Sequence, residues 1–389
     1  MRLIIISSIV SISYSSLCYA TDLFENPIVQ VEEKFQEALS LMEQNRPLRA
    51  LDLLTDIASI SDSVRINLET GKAFLHSGEV LQAIKTYNNV LENYLLPTIV
   101  RSNIKSVITH AEDRKFKPYI NIDGGIDGNP YRIPKKQEVI LFAGLPMTYD
   151  PGEKTGSQGY LTTTIGSRGD HSRLFNYDFY VQNTSYESSK DLSLNKYGLK
   201  VSSLWGDDTT HIRTTVGANL VNKYEQVDGI EYDAGVSITP DVFVTSPTTI
   251  SGSYLTYQSD DSQTDYNLST LSISKRYQFD NANFVTPSIY ADFYEPLRST
   301  GAYKSVRAAI EYPFMLQNMN LTTNVSFEDR RYRNRDFMFG TCRSDQTSVV
   351  SVTIPINDFY FTIGYEQLES SIRFYDYSRY TVKTGASIH

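Results

Sequence analysis

Residues 211–220 read HIRTTVGANL, and residues 230–238 read IEYDAGVSI. In the first, Ile212, Thr214, Val216, Ala218 and Leu220 share one face of an extended chain, and His211, Arg213, Thr215, Gly217 and Asn219 share the other. In the second, Ile230, Tyr232, Ala234, Val236 and Ile238 oppose Glu231, Asp233, Gly235 and Ser237. Three further stretches repeat the pattern. Val306, Ala308, Ile310 and Tyr312 oppose Ser305, Arg307 and Glu311; Leu321, Thr323, Val325 and Phe327 oppose Thr322, Asn324, Ser326 and Glu328; Phe359, Phe361, Ile363 and Tyr365 oppose Tyr360, Thr362, Gly364 and Glu366. Each stretch is about ten residues, the length a tilted strand needs to cross a bilayer.

Soluble sandwiches also alternate. Two features favour a membrane barrel. The polar faces carry charges in mid-strand, as a wet lumen allows, and the strands end in aromatics (Trp205, Tyr257, Tyr312, Tyr365), as interfacial girdles require. The composition agrees, with 28 Tyr and 18 Phe against one Trp in 389 residues.

Working back from the C-terminus, the connections alternate in length. Long ones are 368–376, 329–344, 294–302, 259–264, 222–228 and 183–192; short ones are 355–358, 313–318, 279–282, 240–247, 206–209 and 168–171. Long loops face outside and short turns the periplasm, so both chain ends of the barrel are expected in the periplasm, which requires an even strand number. Fifteen segments read as strands. Taking 118–125 as the first and leaving 138–145 inside a long first loop predicts 14 strands, with 16 as the alternative. The last strand (Tyr380, Val382, Ala386, Ile388) puts Ile388 where such barrels usually carry an aromatic.

Upstream the period is helical. Ala38, Leu41, Asn45, Ala50, Leu54 and Ile57 form one row; Gly71, Phe74, Gly78, Ala83, Tyr87 and Val90 form a second, 33 residues later at every position. Small residues at Ala38/Gly71 and Ala50/Ala83 let antiparallel helices approach closely. The rows resemble the tetratricopeptide repeat, with residues 97–113 as a capping helix. The resemblance implies a small peptide groove, for which Asn45, Lys72, His76 and Tyr87 are the candidates. Pro118 after Glu112-Asp113-Arg114-Lys115 marks the boundary.

The chain opens on an export leader: Arg2, an apolar stretch Leu3 to Ile12, and the small-residue site Cys18-Tyr19-Ala20. The expected organisation is a signal peptide at 1–20, a helical periplasmic domain at 21–117 and an outer-membrane barrel at 118–389. This is an α+β two-domain fold: a short tetratricopeptide-like domain followed by an antiparallel transmembrane β-barrel. Without its leader the chain has one cysteine, Cys342, and no internal disulfide. A net charge of −9 on an exported chain excludes nucleic acid as a partner. The five histidines (76, 110, 171, 211 and 389) show no metal-ligand spacing, and no nucleophile-elbow or phosphate-loop motif occurs. His171 beside Asp170 reads as a solvated turn. The expectation is a non-enzyme with no cofactor.

The densest charge cluster is FEDRRYRNRDFMFGTCRSD, residues 327–345. Its neighbours downstream are Ser370-Ser371-Ile372 and Tyr375-Asp376-Tyr377-Ser378-Arg379. An Arg-rich penultimate loop with R-x-D, here Arg343-Ser344-Asp345, then a Ser-Asn-Ile-like segment and a Tyr-x-Tyr before an Arg, resembles the surface lipoprotein assembly modifier (Slam) family. Ser371 stands in place of the Asn. The resemblance implies a translocon that delivers a surface lipoprotein or related secreted protein across the outer membrane. Its partners would be the lipid bilayer, the client chain and, during biogenesis, the insertion machinery. Residues expected to line the lumen or touch cargo are Arg213, Glu231, Asp233, Arg307, Glu311, Glu328, Arg343, Asp345 and Arg379. The alternative is a passive pore or polysaccharide exporter, for which Tyr180, Tyr290 and Tyr360 would line the lumen. An adhesin is a third reading.

Overall fold

Asn45 and Gly78 hold the same place in the two helical rows, and both adopt left-handed backbone, with φ of 58° and 88°. Each ends a helix where the chain must turn back, so the repeat seen in the residues is also a repeat of conformation. The computed structural model describes residues 27–141, 144–223, 226–240, 246–259, 264–279, 284–297, 301–316 and 319–388. The expected leader and its cleavage site lie outside the described residues.

Contacts divide the chain into two compact units, one ending at Glu112 and one starting at Asp113. In the first, α1 (Pro27–Glu43) and α2 (Pro47–Ala58) form one hairpin, and α3 (Val64–Ser77) and α4 (Val80–Asn93) a second. Pro47 begins α2, where its missing N–H costs nothing. Phe35, Ala38, Ala50, Leu54 and Ile57 bury one core with Ile66 and Ala73 of α3. Val80, Ala83, Ile84, Tyr87 and Val90 bury a second with Ile104, Ile108 and Ala111 of α5 (Thr98–Lys115). Gly71 is needed here: a Cβ on it would lie 2.8 Å from the Tyr87 ring. Tyr87 is only 6% exposed, and burial pushes its phenol up to about 12. It is a core residue, which corrects the groove role expected from sequence. A helical row records burial, and burial is what removes a side chain from a binding surface. Asn45, Lys72 and His76 are exposed.

The second unit is a barrel of fourteen antiparallel strands. In ring order they are β1 (Lys117–Asp127), β4 (Gln158–Ser172), β5 (Phe175–Tyr186), β6 (Leu194–Gly206), β7 (Thr210–Lys223), β8 (Gln226–Pro240), β9 (Thr248–Ser259), β10 (Tyr266–Lys275), β12 (Phe284–Pro296), β13 (Tyr303–Leu316), β14 (Met319–Arg335), β15 (Cys342–Ile356), β16 (Phe359–Ser370) and β17 (Tyr377–Ile388). The ring closes through β1 and β17, with Ile120 opposite Ile388 and Ile126 opposite Val382. β11 (Tyr277–Gln278) adds a short pairing to β12. β2 (Gln137–Ile140) and β3 (Pro146–Tyr149) pair with each other inside the long first loop, as expected for 138–145.

Register carries the face of each residue around the ring. Val216 opposes Ala234, and Ala234 opposes Tyr254. Val306 opposes Ala291, and Ile363 opposes both Val352 and Val382. This face is open: Val216 is 63% exposed and Ile363 53%. So continuous an apolar belt matches lipid rather than water. Closure pairs both edges of each of the fourteen barrel strands, as the hydrocarbon demands. The protein is an outer-membrane β-barrel.

Three sequence expectations need correction. The charged stretch 329–344 is not a long loop: β14 runs to Arg335 and β15 starts at Cys342. Likewise 222–228 shrinks to the step between Lys223 and Gln226. A charged strand end reads as loop in the sequence, yet above the bilayer a strand can carry charge on both faces. Finally, Tyr257 is no girdle residue. It opposes Glu231, shares its inward parity, and is 6% exposed. A strand has two faces, and an aromatic at its end belongs to a girdle only when its parity is outward.

Candidate functional site

The inner wall is polar and internally paired. Lys196 of β6 meets Glu231 of β8 at 2.6 Å, and Asn219 of β7, between them, donates to the same carboxylate at 2.8 Å. The Tyr180 hydroxyl donates to Asn219 at 2.7 Å, and Lys200 lies 4.0 Å from Asp233. These groups bound a cavity of about 390 Å³ that opens among β5 to β10. Gly198 makes it possible, since any side chain there would collide with the Tyr180 ring.

Farther round, tyrosines form a continuous row on the inner wall. Ring centroids are 5.4 Å apart for Tyr257–Tyr266, 5.2 Å for Tyr266–Tyr294, 4.9 Å for Tyr294–Tyr303 and 5.6 Å for Tyr303–Tyr332. The row crosses β9, β10, β12, β13 and β14. Cross-strand register builds it: Tyr257 opposes Tyr266, Tyr294 opposes Tyr303, and Tyr303 opposes Tyr332. The two stacked pairs lie within 28° and 17° of parallel, so those rings spend their faces on each other. Arg330 lies 4.4 Å over Tyr303 and Arg343 lies 4.7 Å over Tyr332.

The row ends where the three motif segments meet. Arg343 holds Asp345 through Nε at 2.8 Å and a terminal nitrogen at 2.6 Å, and Asp345 is fully buried. The same guanidinium lies over the Tyr375 ring. Ser344 and Ser371 are stitched twice: the Ser371 amide donates to the Ser344 carbonyl at 2.7 Å, and the Ser344 amide donates to the Ser371 hydroxyl at 2.9 Å. The Tyr375 hydroxyl donates to Asp336 at 2.5 Å, while Asp336 caps its own loop by accepting from the Met338 and Phe339 amides. Burial raises the Tyr375 phenol, and Asp336 raises it further. Tyr149 of the first loop, Phe339 and Phe374 complete an aromatic cluster, with centroids 4.9 and 5.4 Å from Phe374.

A second ion cluster sits at the closure. Arg379 binds the fully buried Asp127 at 2.5 and 2.8 Å and Glu366 at 3.5 Å. Glu366 also accepts from Tyr377 at 2.6 Å and meets Arg132 of the first loop at 3.4 Å.

The expected lumen residues thus fall into groups. Glu231 belongs to the β6–β8 cluster with Asp233 beside it, while Arg213 lines the wall near Lys200 and Asp233. Arg307 lies 4.4 Å over the Tyr290 ring. Glu311 opposes Asn324 and Thr286 and stays exposed, away from any of these clusters. Glu328 pairs with Arg330 at 3.0 Å. Arg343, Asp345 and Arg379 sit at the motif junction and the closure. Tyr180, Tyr290 and Tyr360 share the inward parity, as expected. Sequence reasoning missed Asp127 and the tyrosine row; the row could have been found by placing each Tyr on its strand parity. His171 is no solvated turn: it closes β4, with its ring edge-on to Phe175 and Tyr177 at 5.7 and 5.5 Å. The four groove candidates do not form one patch, since Tyr87 lies in the core and Asn45 in the α1–α2 turn. Lys72 and His76 share an exposed face of α3.

No protein-family model and no curated protein matches the chain. Solved structures similar to it include outer-membrane barrels. OprB of Pseudomonas putida shares 7% identity at a TM-score of 0.45, covering 73% of this chain and 97% of that one. OmpT of Vibrio cholerae (loop L8 deleted) shares 5% at 0.39, covering 70% and 99%. CdiB of Acinetobacter baumannii shares 11% at 0.38, covering 70% and 60%.

Proposed function

We propose that the protein is a translocon that carries a lipoprotein or a related secreted protein from the periplasm to the cell surface, with no chemistry of its own. A membrane barrel with a polar interior supports a pore or transporter role. What narrows the reading is the junction of Arg343-Ser344-Asp345, Ser370-Ser371-Ile372 and Tyr375 to Arg379. The segments that resemble the Slam family are contiguous in space and bonded to one another.

The tyrosine row supports passage of a polypeptide better than of a sugar chain. Sugars stack on free aromatic faces, and in the two stacked pairs each ring covers one face of its partner. What such rings offer the lumen is edges and hydroxyls, which can exchange hydrogen bonds with a passing backbone. On this reading the helical unit is a periplasmic holding surface, and the exposed Lys72/His76 face of α3 is its best contact candidate.

The test is surface exposure of lipoproteins on intact cells lacking the protein, complemented with wild type or with Arg343→Ala. Loss of one surface protein in the deletion strain, restored by wild type, is expected. Unchanged display of every surface lipoprotein, together with a large steady conductance of the purified barrel in bilayers, would select the passive pore instead.

A further inference from the structure

The outer wall of β12 to β14 carries a second feature, independent of the lumen and of any client. Phe293, Lys304 and Arg331 are directly opposite one another on three adjacent strands. Their parity is that of Val306 and Phe327, which face lipid. One register step toward mid-strand, the outward residues are Ala291, Val306 and Asp329. The next step brings Ile289, Ala308 and Phe327, so the wall changes from apolar through the Asp329 row to cationic within about 13 Å, four strand residues.

Lys304 and Arg331 oppose each other with like charge, an arrangement that destabilises a sheet unless an anion lies between. Arg331 is engaged by Asp329 at 3.0 Å and Arg333 by Glu295 at 3.8 Å, but both arginines are largely exposed, so these pairs are weak and easily exchanged. Lys304 lies 5.6 Å over the Phe293 ring. Together they border a groove of about 980 Å³ that Tyr254, Phe293 and Val306 also line, with Asp329 and Glu295 among its polar groups. On the outward faces of the other barrel strands toward the same rim, no Lys or Arg occurs among the described residues, apart from Arg335 at the irregular end of β14.

We propose that this groove binds one phosphorylated, multiply acylated lipid of the surrounding leaflet. The phosphate sits between Lys304, Arg331 and Arg333, and acyl chain lies along Phe293 and Val306. Cations and apolar side chains lining one groove suit a ligand with both parts in one molecule. Because the long-loop rim of such barrels faces outward, the lipid belongs to the outer leaflet. The rows of cation and hydrocarbon exist whether or not the barrel exports a protein.

The purified full-length protein would be presented with bisphosphorylated lipid A in detergent and examined by native mass spectrometry. One retained lipid is expected. Retention should fall at least tenfold for lipid A lacking phosphate and for the K304Q/R331Q/R333Q variant, while K275Q/R276Q on the opposite rim binds as wild type. Asp329→Asn, which releases Arg331, should bind several-fold tighter, an outcome that misfolding cannot mimic. Equal retention by the triple variant, or no gain in D329N, would overturn the proposal. Competition by inorganic phosphate at the lipid's concentration would overturn the lipid assignment, since the groove would then read phosphate alone.

Discussion

The guanidinium of Arg343 lies 3.6 Å from the centroid of the Tyr375 ring, linking the start of β15 to the loop between β16 and β17. Asp345, held by the same guanidinium, has no access to solvent. Removing the arginine therefore leaves a buried carboxylate unpaired as well as a ring uncovered. Arg343→Ala should lower barrel stability by about 3 kcal/mol, and Arg343→Lys, which cannot hold both carboxylate oxygens in a fork, by about half of that. Urea unfolding of the purified barrel, followed by the gel shift between folded and unfolded forms, measures both.

Asp336 and Tyr375 give the same loop a pH dependence. The phenol is raised above its unfolded value near 10, first by burial and then by Asp336. A raised group contributes stability that is intact below the unfolded value and is lost as pH rises from there through the folded value. Thermal unfolding from pH 9 to 12 should show a decline in wild type that is smaller in Tyr375→Phe. An identical decline in the two proteins would mean the phenol is not held as described.

Arg379 bridges Asp127 of β1 and Glu366 of β16, so it helps close the ring. Asp127→Asn and Arg379→Gln should each destabilise, and the double variant should cost less than the two together, with a coupling of about 1–3 kcal/mol. A double-mutant cycle on folded, detergent-solubilised protein decides this. Simple additivity would show the pair to be incidental.

In the helical unit, Gly71→Ala places a methyl against the Tyr87 ring. The expected loss is about 1–3 kcal/mol from overpacking. Hydrogen exchange of α3 and α4 amides in the full chain should quicken, and the added substitution Tyr87→Leu should restore part of the protection. No change in exchange would mean that α3 and α4 do not approach so closely.

Replacing Tyr266, Tyr294 and Tyr303 together with Phe keeps the ring packing and removes the hydroxyls. Stability should stay within about 1 kcal/mol of wild type, because no buried partner is left unsatisfied. Client display on intact cells should nevertheless fall if the hydroxyls serve a moving backbone. Undiminished display would remove the row from the passage mechanism.

Alternation over ten residues reveals strands, and counting them from 118 onward places the first strand; the segment 138–145, which the count leaves in the first loop, holds half of a hairpin whose second strand, Pro146–Tyr149, the alternation does not mark. Outward and inward faces were legible because lipid accepts only apolar side chains; that is why Val216 and Ile363 fall where their neighbours require. The rim was not legible. Past the bilayer the solvent is water on both faces, so β14 can run through Asp329, Arg331 and Arg333 without any alternation to mark it. Nor does a lone aromatic say which side it occupies, so the residues alone put Tyr257 in a girdle and Tyr87 in a groove, while the fold buries both.

What the chain alone determined was local: periods of 3.6 and 2, the turn residues Asn45 and Gly78, and the polar or apolar choice at each strand position, all set by the solvent each side chain must meet. What only the folded ring decided was adjacency. Asp127 reaches Arg379, Ser344 reaches Ser371, and five tyrosines from five strands form one row, because register across non-local strands brings together residues that no spacing along the chain connects.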